Sequence, residues 1–170
     1  MTRIQPAAPG DAQAIADIYN VGIAERSSTF ETEPRTAAEV EQWLAGAERH
    51  PVLVAAGQAA ERHPGAVLGW ARILPYSPRP AYAGVGEVSV YVAAVARGHG
   101  IGSALMHELE QRAAELGYWK LVGKLFTDNA ASAALVRRCG WREVGLHLRH
   151  GRLDGEWRDV LVVERSLDAG

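Results

Sequence analysis

The sequence predicts an α/β domain built on a single mixed, twisted sheet flanked by helices. Three observations carry that expectation. Runs rich in β-branched and aromatic residues alternate with stretches of helical apolar spacing, in the order β-α-α-β-β-β-α-β-α-β-β. A glycine-rich loop, Arg97-Gly98-His99-Gly100-Ile101-Gly102-Ser103, joins a strand to a helix near the middle of the chain. The 170 residues suit one domain, residues 1–170, and 48% hydrophobic content supplies an ordinary globular core.

Each element has its own signal. Arg3-Ile4-Gln5 is a short strand closed by Pro6, and Asp11 then caps a helix with Ala12, Ile15, Ala16, Tyr19 and Ile23 on one face. Thr36 caps a second helix running to about His50, with Val40, Trp43, Leu44 and Ala47 together. Val52 to Ala56 and Ala66 to Leu74 are strands, separated by a loop from Gly57 to Gly65. The prolines of Pro75-Tyr76-Ser77-Pro78-Arg79-Pro80 cannot sit in a central strand, so that segment is a loop able to border a site. A long strand follows around Glu87, and after the glycine loop Ile101, Leu105, Leu109, Ala113 and Leu116 mark a helix ended by Gly117. Lys120 to Lys124 is a strand, and Asp128 or Asn129 starts a short helix ended by Gly140. Trp141 to Leu148 and Val160 to Val163 close the sheet as an antiparallel pair.

Composition removes several function classes. A net charge of −2 leaves no footprint for nucleic acid or an anionic membrane. No apolar run approaches the ~20 residues of a spanning helix, and Met1-Thr2-Arg3-Ile4 lacks a signal-peptide core. Cys139 is the only cysteine, which points to a reducing, cytoplasmic setting and to a small buried hydrophobe rather than a nucleophile. His147 and His150 stand three apart on a strand, so they are expected on opposite faces, and with no other Cys/His cluster no metal is expected.

The glycine loop invites a ligand. Its glycines clear side chains from backbone N–H groups, and the helix start adds partial positive charge, which suits phosphate or pyrophosphate. No Lys follows the last glycine, so it is not a P-loop, and the spacing is not G-x-G-x-x-G. Arg97, Gly100 and Gly102 give Arg-x-x-Gly-x-Gly, which resembles the acetyl-CoA pyrophosphate loop of the GCN5-related N-acetyltransferase superfamily. A turn of glycines without a ligand is the other reading of those six residues.

The resemblance extends over nearly the whole chain. Ile18-Tyr19-Asn20, Thr29 to Thr36, Arg79-Pro80-Ala81-Tyr82, Glu87 to Val92 and Trp157-Arg158-Asp159-Val160 look like phosphinothricin N-acetyltransferases. Pro75 to Pro80, Gly117-Tyr118-Trp119-Lys120 and His150 to Gly155 look most like the arsinothricin-resistance branch. The resemblance implies the GCN5-related acetyltransferase fold, acetyl-CoA as cosubstrate, no metal, a homodimer, and the α-amino group of a small glutamate-like analogue as acceptor. It also implies a cofactor site. Backbone N–H groups of Gly98, His99, Gly100, Ile101 and Gly102 would meet the pyrophosphate with Arg97 and Ser103 beside them. Val90, Tyr91 and Val92 would give the strand edge for pantetheine, and Asn129 would meet the cofactor arm. A helix cap is the other reading of Asn129.

Glu87 is the candidate general base. An ammonium must lose a proton before it can attack a thioester, and a carboxylate in reach can take it. Alternation puts Glu87, Ser89 and Tyr91 on one face of their strand and Val88, Val90 and Val92 on the other; an exposed strand-end charge is the competing reading. Arg79 and Tyr82 match the substrate-contacting Arg and Tyr of the phosphinothricin enzymes. Arg72 can join them or be a solvated charge, while Thr29 and Phe30 wall the acceptor pocket or, for Phe30, fill the core. Where phosphinothricin enzymes carry a His and many superfamily members a Tyr, this chain has Val136, so no general acid is assigned. Methionine sulfoximine, or another amino-acid analogue, is an alternative acceptor. A CoA-binding module without catalysis is a further alternative, opposed by Glu87 together with Arg79.

Overall fold

A computed structural model describes residues 2–59 and 63–167. Strands β1 (Thr2–Pro6), β2 (Val52–Ala59), β3 (His63–Pro75), β4 (Val85–Val92), β5 (Lys120–Phe126), β6 (Arg142–Leu153) and β7 (Glu156–Ser166) form one sheet in the order β1-β2-β3-β4-β5-β7-β6. Helices α1 (Ala12–Glu25), α2 (Ala37–Ala45), α3 (Ile101–Glu115) and α4 (Ala130–Arg138) complete the expected order. β4 and β5 are parallel and the other neighbours antiparallel, so the sheet is mixed.

Alternation along the strands feeds two cores. Leu53 and Ala55 of β2, with Ala71 and Ile73 of β3, join Leu105 and Leu109 of α3 on one face. Val52 and Val54, with Trp70, join Ile15, Tyr19 and Val40 of α1 and α2 on the other. The α1 residues read from the sequence as one face are all buried. Val88, Val90 and Val92 pack toward the α3 side while Tyr91 packs toward α1, as the period of two requires.

Three expectations are corrected. The loop from Gly57 to Gly65 is mostly strand, because β2 and β3 stay paired to Ala59↔His63, and only residues 60–62 of it lie outside the described residues. Two register shifts absorb the irregular sequence, and a Cβ on Gly57 would collide with Leu68 Cδ1, so this glycine serves packing rather than a turn. Helix α2 stops at Ala45 rather than His50, because Gly46 caps it and Pro51 disfavours a helical residue before it. His50 Nδ1 instead lies 2.6 Å from the Tyr118 hydroxyl.

The third correction concerns the two histidines. The register runs His147↔Val160 and then Gly151↔Arg158, so β6 carries extra residues, with Arg149 at a φ of 50°. That bulge turns His150 back toward His147, and their Nδ1 atoms lie 3.1 Å apart instead of on opposite faces. No third Cys, His, Asp or Glu completes a metal cluster with them among the described residues.

Helix α2 begins with a reciprocal cap. Glu39 N–H donates to Thr36 Oγ1 at 3.3 Å, and Thr36 N–H donates to Glu39 Oε2 at 2.8 Å. The Thr36 backbone bond, reinforced by Arg35, holds the Glu39 carboxyl below its ordinary value of 4.5. A depressed carboxyl adds stability above its unfolded pKa and loses it as pH falls through the folded value. The stability gap between wild type and Glu39→Gln, read from urea melts, is expected to hold above about pH 5 and to close below it. A gap unchanged at about pH 3 would show that the carboxylate's charge is irrelevant to the cap.

Candidate active site

The site follows from how little β4 and β5 touch. They pair only as Val85↔Lys120, Gly86↔Leu121 and Glu87↔Val122, after which β5 follows β7 alone. On the side facing β5, Val88 to Val92 have no partner strand among the described residues. Two clefts of about 430 and 390 Å³ occupy the wedge and share Ser28, Val90, Tyr91, Asn129, Ser132 and Leu135. Glu87 lies where the strands part.

The glycine loop lines the smaller cleft. Gly98 and Gly100 hold φ near 80°, and a Cβ on either would meet nothing within 4 Å, so their glycines are required by conformation. Gly102 is different: a Cβ there would lie 3.2 Å from Leu135, so it lets α3 approach α4. Ser103 lines the cleft with a buried hydroxyl that lacks a hydrogen-bond partner. Arg97 lines it too, but its guanidinium grips Glu25 at 2.8 and 3.0 Å and donates to Val92 O. His99 is exposed and donates to Arg97 O, and Ile101 is buried in the core, so neither side chain faces the cleft.

Asn129 is committed within the protein. Its Oδ1 accepts from Ser132 N–H at 3.0 Å as the cap of α4, and its Nδ2 donates to Ser27 O at 3.0 Å. The cap reading therefore holds, and Asn129 also ties the Ser27 loop across the wedge.

The larger cleft collects charge. Glu87 Oε2 accepts from Lys124 Nζ at 2.8 Å, with both side chains about one-third exposed. Lys124 was not singled out from the sequence, where it served only to end a strand. A signal existed: it is the one charged residue in Leu121-Val122-Gly123-Lys124-Leu125-Phe126, a run otherwise free of polar side chains. Arg72 stacks its guanidinium 3.6 Å from the Trp43 ring centroid, and its Nε is buried without a partner. Burial lowers the Arg72 pKa. Tyr91 stacks on Trp70 at 4.9 Å, and burial pushes its phenol pKa up, so it stays neutral at physiological pH.

The remaining wall comes from the loop after α1. Thr29 lines the cleft, with Oγ1 accepting from Glu31 N–H. Phe30 lines the cleft and stands edge-on to Phe126 at 4.8 Å, but it stays exposed instead of filling the core. Gly151 makes room for it, since a Cβ there would come within 2.7 Å of the ring. His150 borders the cleft as well, by way of the β6 bulge. Val136 is buried against the same space and offers no proton. Arg79 and Tyr82 lie apart from these residues. Arg79 is exposed on the proline loop, and Tyr82 packs on Tyr76 at 5.7 Å, so neither lines either cleft within this one chain.

A model of the Acetyltransferase (GNAT) family matches residues 15–141, which span the wedge, the glycine loop and α4. The chain belongs to the GNAT acetyltransferase family. It is similar to phosphinothricin N-acetyltransferase from Streptomyces coelicolor, 36% identical over 97% of this chain and 96% of that one. It is also similar to the L-methionine sulfoximine/L-methionine sulfone acetyltransferase of Pseudomonas aeruginosa, 32% identical over 97% of this chain and 94% of that one. A GNAT phosphinothricin acetyltransferase from Sinorhizobium meliloti, solved with acetyl-CoA, superposes with a TM-score of 0.90 at 30% identity over 99% of this chain and 90% of that one. This GNAT chain is thus an acetyltransferase, with N-acetyltransferases of amino-acid analogues among its relatives.

Asn129→Ala removes a cap and a cross-wedge tether together. It is expected to cost about 0.5–2 kcal/mol in thermal unfolding, the range of N-cap truncations. A loss below ~0.3 kcal/mol would mean that water replaces both bonds.

Proposed function

We propose that this GNAT protein transfers the acetyl group of acetyl-CoA to the α-amino group of a small amino-acid analogue with an acidic side chain, of the phosphinothricin or arsinothricin type. The observation that carries the reading is Glu87 at the point where strands β4 and β5 part. It stands beside a cofactor-sized groove and within a cleft that holds two cations.

The residues fit acetyl-CoA. Pantetheine is peptide-like, and the free edge of Val88 to Val92 offers backbone groups for it at Val90 and Val92, whereas Tyr91, like Ala93 whose N–H donates to Leu68 O, turns its backbone groups toward β3. Gly98 and Gly100 keep the loop open in front of the α3 N-terminus, and the orphaned Ser103 hydroxyl suits a pyrophosphate oxygen. When bound, the cosubstrate supplies an activated acetyl carbonyl. Everything else is the protein's task. Glu87 takes the ammonium proton directly or through one water, and Arg72 receives the acceptor's α-carboxylate. Val136 leaves the departing thiolate to solvent protonation, which its ordinary pKa of ~8.5 permits.

Acetylation turns the acceptor's charged amine into a neutral amide, and we read resistance to such analogues as the physiological result. The lone buried Cys139 agrees with a reducing cytoplasm. Exposed Val144, Leu146, Leu148 and Trp157 on the β6 edge and its neighbour support a homodimer. Arg79 and Tyr82 would then serve the acceptor only through a loop movement or a second chain. A panel of amines including phosphinothricin, arsinothricin and methionine sulfoximine, scored by thioester consumption, tests the acceptor. Turnover confined to neutral analogues would replace this reading, and binding without any turnover would leave a CoA-binding module.

Gly100→Val forces a β-branched residue into positive φ at the loop. Acetyl-CoA affinity measured by calorimetry is expected to fall at least about tenfold, as the strain redirects the N–H groups. A folded variant with wild-type affinity would remove the loop from the cofactor site.

Glu87→Gln is expected to leave cofactor affinity unchanged and to lower kcat by about 10²–10⁴-fold, the usual worth of a general base. The deficit should narrow at alkaline pH, where more acceptor amine is already free. Full activity near pH 7 would make Glu87 a structural partner of Lys124.

A further inference from the structure

The charged side chains lining the acceptor cleft are Glu31 from the loop after α1, Arg72 from β3, Glu87 from β4 and Lys124 from β5, with His150 at the rim from β6. Glu31 is already matched by Arg35, 2.7 Å away. That leaves two cations and one carboxylate for the acceptor. Arg72 is fixed by its stack on Trp43, with a buried Nε still unpartnered. Lys124 is different: its ammonium lies on Glu87 Oε2, the group that must receive the acceptor's proton.

We propose that Lys124 selects acceptors with an acidic side chain by exchanging partners. It rests on Glu87 when the cleft is empty, moves to the acceptor's second anion, and thereby frees Glu87 Oε2 for the ammonium. The inference rests on the reading of Glu87 as base and of the acceptor as an amino acid. The geometry carries it in three ways. Glu87 is registered with Val122, so Lys124, two residues on, projects from the same sheet face beyond the point of parting. The pair is about one-third exposed, and ion pairs of that kind are weak enough for a substrate anion to displace. Lysine carries a compact charge on a flexible stem, which suits exchange, whereas the stacked Arg72 suits a fixed carboxylate.

Charges then balance in only one case. An acceptor with an α-carboxylate and a phosphinate or arsinate brings two anions for Arg72 and Lys124, and its ammonium goes to Glu87. With a neutral sulfone side chain, Lys124 stays on Glu87 and competes with the ammonium.

The test compares kcat/KM for phosphinothricin and methionine sulfone in wild type, Lys124→Met and Lys124→Arg at saturating acetyl-CoA. Lys124→Met is expected to lower the phosphinothricin-over-sulfone ratio by about 10- to 100-fold, chiefly through the phosphinothricin KM. Lys124→Arg is expected to recover most of it. An equal loss on both acceptors would make Lys124 a structural prop and overturn the proposal. So would a Lys124→Arg ratio as low as that of Lys124→Met, because charge would not be the cause. If Lys124→Met does not fold, Lys124→Gln carries the same comparison. A wild type that prefers the sulfone, or acetylates neither compound, overturns the anionic-acceptor reading itself and this inference with it.

Discussion

Everything at this site depends on strands β4 and β5 parting after three paired residues. Buried backbone groups must find partners, so a strand that loses its neighbour halfway along has to meet water, a loop or a peptide-like ligand. Here the opening is held by large side chains on both faces. Tyr91 is clamped between Tyr19 and Trp70, and Val88, Val90 and Val92 lean on the α3 core. Beyond the parting point β5 keeps its full pairing with β7, so neither strand can swing across to close the gap. The wedge is therefore a built feature of the sheet. The only acidic side chain of β4 stands at its apex.

The loop after α1 has to stay in place for that wedge to have a wall. It has no secondary structure of its own, yet four separate anchors hold it. Asn20 on α1 bonds the Arg35 backbone twice, at 2.7 and 2.9 Å. Arg35 then bridges Glu31 and Glu39, which ties the loop to the cap of α2. Arg26 pairs with Asp154 at the β6–β7 turn, and Arg158 reaches both Asp128 and Arg26 O. Individually such exposed pairs contribute little, but a network converging on one loop restricts it more than any single pair could. This gives physical meaning to several motifs that the sequence offered only as family likeness. Asn20, Arg35 and Arg158 are loop anchors that need never touch a substrate.

What could be read from the sequence was whatever a local rule fixes. The α1 face follows from helical spacing, the glycine loop between a strand and α3 from its run of glycines, and the face that Glu87 shares with Ser89 and Tyr91 from strand alternation. What could not be read depends on pairing between distant segments. Nothing in Leu121 to Phe126 says that β5 will run beside β4 for three residues and then leave it, so Lys124 looked like a strand end instead of the partner of Glu87. The bulge that joins His147 to His150 is set by the count of residues opposite Val160 and Arg158, which alternation along one strand cannot reveal. Helix α2 was overextended because Leu44 and Ala47 fit the periodicity, although Gly46 and Pro51 carried the stop signal. Arg79 shows the converse limit. Its motif was matched, but a motif carries no information on whether its loop faces the cleft within one chain.

The relatives leave the acceptor open for a related reason. The chain is 36% identical to a phosphinothricin enzyme and 32% identical to a methionine sulfoximine/sulfone enzyme, a difference too small to choose between an anionic and a neutral side chain. The parts that would bind the cosubstrate are largely backbone: the free edge of β4 and the glycine loop. They impose no charge on the acceptor, so a shared fold is compatible with either substrate. Discrimination must come from side chains that face the other cleft. There the chain offers a partly desolvated Arg72 on β3, stacked on Trp43, and Lys124 on β5, paired with Glu87. A neutral acceptor would bury Arg72 against one carboxylate and leave the Glu87–Lys124 pair intact. An acidic acceptor would use both cations, and its second charge would compensate for the ion pair it breaks. Under the proposed exchange, the choice of acceptor reduces to the charge borne by one residue of β5.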